Sequence, residues 1–101
     1  MSTVYQFMVD FTLPQTLPDE LLDLLPTQKQ TLEKLFDQGK LCSFASAFDA
    51  SKMWAIFNAN SEYEVMTLLA TLPLSNFTQV QISMLSTYNT MDAFLPQFSM
   101  N

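Results

Sequence analysis

Asp10 is the one charged residue in an alternating run, Val4-Tyr5-Gln6-Phe7-Met8-Val9-Asp10-Phe11-Thr12-Leu13. It shares one side of that run with Gln6 and Met8. Residues 77–85 alternate too, with Gln79, Gln81 and Ser83 on one side and Val80, Ile82 and Met84 on the other. One carboxylate among carboxamides and a hydroxyl is a set suited to proton transfer. The carboxylate takes a proton from carbon, and the amides hold a carbonyl or hydroxyl oxygen. Cys42 and Ser46 are weaker candidates, because the chain has no histidine to activate a nucleophile. One cysteine and no histidine also leave no ligand cluster for zinc, and no metal or other cofactor is expected.

The totals limit the partners. Four lysines, no arginine and ten acidic residues give a net charge of −6. Such a field repels nucleic acid and anionic membrane surfaces, so neither is an expected partner. Lys40 and Lys52 lie at the ends of a hairpin pattern, and Lys29 and Lys34 lie in a helical stretch. No apolar run approaches the ~20 residues that span a bilayer. The start, MSTVYQFMVDF, lacks a basic segment followed by an apolar one, so a secretory signal is not expected. A reducing, cytoplasmic setting is the expected one.

The elements that would position these residues follow from periodicity. The first alternating run reads as a strand. Residues 18–38 carry Leu21, Leu25, Leu32, Leu35 and Phe36 at helical spacing, with Asp19 and Glu20 in the first turn and Gly39 at the end. Pro26 predicts a kink or two segments, with Thr27 and Gln30 as a second capping box. Residues 41–48 and 53–58 form a hairpin pattern. Ser61 and Glu64 make a capping box before the stripe Val65, Leu68, Leu69, Leu72, which stops at Leu72-Pro73-Leu74. The order is βαββαβ, a ferredoxin-like α+β domain with an antiparallel four-stranded sheet, in one domain spanning 1–101. Residues 86–101 are a tail rich in apolar groups, among them Phe94 and Phe98.

Both helices of such a unit cover one sheet face. Tyr5, Phe7, Val9 and Phe11 are expected there with Val80, Ile82 and Met84. The open face then carries Gln6, Met8, Asp10, Gln79, Gln81 and Ser83. Small Ser43, Ala45 and Ala47 are expected beneath a helix, which would put Cys42, Phe44, Ser46 and Phe48 on the open face. Trp54 and Tyr5 are expected in the core or at an interface. An open face with this much apolar surface calls for a cover, and a second copy of the chain is the simplest.

Residues 54–74, WAIFNANSEYEVMTLLATLPL, and the span from Leu13-Pro14 to Gly39 resemble the muconolactone delta-isomerase family. The resemblance runs over roughly residues 3–85. It implies the dimeric α+β barrel fold, larger homo-oligomers, and tails that extend over neighbouring subunits. It also implies movement of a double bond in a lactone without cofactor or metal. Family members carry basic residues on the first two strands. The matching positions here hold Gln6, Met8, Cys42, Ser43 and Ser46. The reading that follows is proton transfer on a small, neutral or weakly charged, cyclic lactone-type substrate in a cavity between sheets. Asp10 would be the base, Gln6 and Gln81 would orient a carbonyl, and Met8, Phe44, Ser46, Phe48, Gln79 and Ser83 would line the wall. A non-catalytic binding or structural barrel is the alternative. A cofactor-free monooxygenase is a third reading, since that chemistry also occurs on this fold.

Overall fold

The alternation of the first run holds throughout. β1 (Tyr5–Thr12) buries Phe7, Val9 and Phe11 and turns Gln6, Met8 and Asp10 the other way. The computed structural model describes residues 4–86. The expectations for the tail, 87–101, lie outside the described residues. After β1 come α1 (Asp19–Asp37), β2 (Leu41–Ser46), β3 (Lys52–Ala59), α2 (Glu62–Leu69), a 3-10 turn at Pro73–Asn76, and β4 (Gln79–Leu85). The sheet order is β2-β3-β1-β4 and every pairing is antiparallel. This is the expected ferredoxin-like α+β architecture.

α1 ends where glycine permits. Gly39 takes φ +72°, its N–H donates to the Phe36 carbonyl, and the Lys40 N–H donates to the Leu35 carbonyl. Those two bonds satisfy carbonyls that a helix end leaves orphaned. Pro26 does not divide the helix, which runs unbroken from Asp19 to Asp37. The second capping box at Thr27 and Gln30 does not form, because that turn continues a helix already under way. The buried stripe is Leu21, Gln28 and Leu35, while Leu25 is exposed. Gln28 lies one heptad from each leucine. Its Oε1 accepts the Leu74 N–H at 3.1 Å, tying α1 to the 3-10 turn. Its Nε2 has no partner among the described residues.

α2 starts as expected. Ser61 Oγ accepts the Glu64 N–H at 3.1 Å. The return bond goes one residue further back, to the Asn60 N–H at 2.7 Å. Leu72 and Leu74 are buried, so the stretch that stops the helix also fills the core.

The core lies between the helices and one sheet face. It joins Phe7, Val9 and Phe11 to Ala55 and Phe57, with Leu21, Leu35, Leu41, Val65, Leu69, Leu72 and Leu74. Each large apolar side chain here contributes about 1.5–3 kcal/mol relative to exposure.

The middle strands correct one expectation. Leu41 pairs with Phe57, but Ser43 pairs with Ile56, so one extra residue sits at Cys42. A bulge of one residue reverses the facing of everything beyond it. Phe44 therefore lies opposite Ala55 on the helix side, with its ring 6.4 Å from that of Phe11. Ser46 falls opposite Met53, also on the helix side. Ser43 and Ala45, opposite Ile56 and Trp54, take the open face instead. Phe48 lies on neither face. It is fully exposed in the β2–β3 turn, where Ala50 adopts φ +61°.

Candidate functional site

The open face is assembled from registers. Across β1, Gln6, Met8, Asp10 and Thr12 pair with Asn58, Ile56, Trp54 and Lys52 of β3. On the other side, Gln6, Met8, Asp10 and Thr12 pair with Leu85, Ser83, Gln81 and Gln79 of β4. Residues paired across antiparallel strands share a face. Asp10 therefore sits between Trp54 and Gln81. The expected placement of Gln6, Met8, Asp10, Gln79, Gln81 and Ser83 on one face is what the register gives. Phe44, Ser46 and Phe48 are not part of it.

The face has two ends with different chemistry. At one end the polar side chains bond to one another. Gln6 Nε2 donates to Asn58 Oδ1 at 3.4 Å and to Cys42 Sγ at 3.5 Å, and Asn58 Nδ2 donates to the Gly39 carbonyl at 2.9 Å. Gln6 is thus engaged within the sheet. It lies four residues from Asp10, about 13 Å at the rise of a strand. It does not join Asp10 in holding one small molecule. Met8 and Ile56 separate the two ends.

At the other end the side chains stay unengaged. Asp10, Thr12, Lys52, Gln79, Val80 and Gln81 line a cleft of about 340 Å³. Among the described residues, the side chains of Asp10, Thr12, Lys52, Gln79 and Gln81 make no hydrogen bond or ion pair with one another. A neighbouring cleft of about 400 Å³ shares Thr12 and Gln79 and continues along Leu13, Pro14 and 76–78, with no titratable group in its wall. The first cleft can therefore do what the second cannot. It sets a carboxylate beside a carboxamide and an ammonium, and so can accept a proton, hold a carbonyl oxygen and face a negative charge.

Two neighbours of Asp10 were not assigned to the site from sequence. Trp54 is half-buried on the open face beside Asp10, outside the main core. Its place follows from the β1–β3 register, which a single chain reveals only once the strands are aligned. Lys52 was legible as a hairpin end, but its position beside the acid depends on that same register. Among the described residues, no group of three histidine, cysteine, aspartate or glutamate side chains could hold a metal ion. No helix among them is long and apolar enough to cross a membrane.

The chain's one ion pair among the described residues lies elsewhere. Lys40 Nζ reaches Glu64 Oε2 at 3.2 Å beside the start of α2. The Asn60 N–H, and after it Lys40, holds the Glu64 carboxyl below its ordinary value. This arrangement caps a helix and has no role in the cleft.

No curated protein matches the chain in sequence. Among solved structures, it is similar to a mutant of SnoaB, a cofactor-independent oxygenase from Streptomyces nogalater. That likeness has 14% identity and a TM-score of 0.49, and covers 87% of this chain and 96% of the other. The sequence profile named muconolactone delta-isomerase matches residues 4–90, which is most of the chain, and the chain belongs to that family.

Proposed function

We propose that the protein binds a small cyclic lactone-type molecule at the Asp10 end of the open face and moves a proton on it without a cofactor. The observation that supports this reading is the convergence of unengaged polar side chains on one cleft. Family membership suggests the reaction class, by analogy. Asp10 removes a proton from the carbon beside the ring carbonyl. Gln81, directly across the strand pair, donates from Nε2 to the carbonyl oxygen as negative charge develops there. Asp10, its carboxyl proton exchanging with water, then returns a proton to a different ring carbon, so the double bond shifts and nothing is oxidised or reduced.

The cleft is open in one chain, and a second copy would close it. Met8, Ile56 and Trp54 form the apolar middle of the face that such a sheet-to-sheet pairing would cover. The assembly in this reading is a homodimer or a larger homo-oligomer.

The test is deuterium uptake by a butenolide in D₂O, followed by NMR. Wild type should accelerate exchange beside the carbonyl, and Asp10→Asn should lose about 100-fold or more of that acceleration. An Asp10→Asn variant as active as wild type would remove the proposed base. A second reading, a non-catalytic barrel, is favoured by the bonded end at Gln6, Cys42 and Asn58. It predicts an intact oligomer with no exchange even in wild type.

A further inference from the structure

We infer that the cleft adjoining the Asp10 cleft is a second subsite, and that it takes a flat, uncharged, hydrogen-bonding group carried by the ring, such as a phenol. The molecule taken is then an aryl-substituted lactone rather than a bare ring. The inference rests on the reading that a ring sits at Asp10, and it adds the substituent.

The two clefts share Thr12 and Gln79, so a group leaving the ring on that side passes directly from one to the other. The Asp10 cleft has about 340 Å³ and its neighbour about 400 Å³. Each alone lies at the low end of the range for small-molecule sites. A bare five-membered ring is too small to occupy both.

The second cleft differs in chemistry from the first. Leu13, Pro14 and Phe77 give it an apolar side, and Thr12, Asn76 and Gln79 give it hydroxyl and carboxamide groups. Its wall has no titratable group, so a charge placed there would be desolvated without a partner. Among the described residues, the side chains of Thr12, Asn76 and Gln79 make no hydrogen bond. They are free to donate to, and accept from, a hydroxyl or a carbonyl. An aromatic substituent offers a flat face to Phe77, and ring-on-ring packing adds to plain burial.

The wall is held in place by the fold. Leu13 and Phe77 pack against the core, and the Leu13 N–H donates to the Ser51 carbonyl at 3.0 Å. The Phe77 N–H and Thr78 Oγ1 both donate to the Leu74 carbonyl, at 3.0 and 3.1 Å. The Leu74 N–H is in turn held by the buried Gln28. A wall fixed in this way costs a ligand little ordering.

The probes are an unsubstituted butenolide and the same butenolide bearing a para-hydroxyphenyl group, titrated into the full chain by calorimetry. Wild type should bind the substituted ring about tenfold more tightly than the bare one, or better. Phe77→Leu, which keeps an apolar contact with the core, should lose about threefold or more of that preference. Asn76→Ala, at an exposed position, should lose a smaller part. Asp10→Asn should keep all of it. Equal binding of the two rings by wild type, or a preference unchanged in both folded wall variants, overturns the subsite and leaves the Asp10 reading standing. A preference that falls in the wall variants, with no Asp10-dependent deuterium exchange on either ring, supports the subsite and overturns proton transfer at Asp10. Binding of neither ring overturns both.

Discussion

The two faces of the sheet are built from the same four strands and differ in almost everything else. On the helix side, Phe7, Val9, Phe11, Ala55 and Phe57 are buried against two helices and a 3-10 turn. On the open side, polar and apolar residues mix, and Asp10, Trp54 and Lys52 are only half-buried. Burial is the main source of folding free energy, so the helix side carries the fold. The open side is free to carry chemistry, because its polar groups are not required to satisfy one another. The cleft end uses that freedom, while the Gln6 end gives it up to hydrogen bonds within the sheet.

Removing one aromatic from each face of β3 is the strongest way to break this contrast. Phe57→Ala should cost about 3–5 kcal/mol in urea unfolding, at any protein concentration. Trp54→Ala should cost the single chain less. If copies pair through the open face, its effect should shrink on dilution, as association stops stabilising either protein. Equal, concentration-independent losses would make the open face a second core.

A smaller effect sharpens the contrast by pH. The carboxyl of Glu64 is held below its ordinary value of 4.5, first by the Asn60 N–H and then by Lys40. A depressed carboxyl stabilises the fold above its unfolded value, and that contribution is lost as pH falls through the folded value. The stability gap between wild type and Glu64→Gln should therefore shrink as pH drops from about 6 to about 3. A constant gap would mean that the capping bonds do not depend on the charge. The pair is partly exposed, so salt should weaken its contribution.

The outer strands were legible in sequence because their alternation is clean. Phe7, Val9, Phe11, Val80 and Ile82 could be assigned to the helix side from period alone, whereas Tyr5 and Met84, expected beneath the helices with them, are exposed. The inner hairpin was not, and the reason is a single residue. Cys42 adds one position to β2, so Phe44 and Ser46 turn to the helix side although the alternation is otherwise unbroken. A bulge has no fixed residue signature, and the β2–β3 register exists only between strands. Lys52 and Trp54 were hidden from the site by the same kind of gap, since each owes its place beside Asp10 to pairing. Gln28 was hidden differently: a polar residue on an apolar stripe reads as surface until its bond to Leu74 is seen. Asp10 was legible because it is the only charge on its strand.

The most direct test of the account is an NMR titration of the ¹⁵N-labelled chain with a butenolide, following every backbone amide. The account predicts that the largest shifts cluster at Asp10, Thr12, Lys52, Trp54, Gln79 and Gln81, with little change at Val65, Leu69 and Leu74 on the far side of the sheet. Shifts centred on the groove between α2 and β4, lined by Met66, Leu69, Ala70, Ser75, Val80 and Ile82, would contradict it and move the site to the helix side.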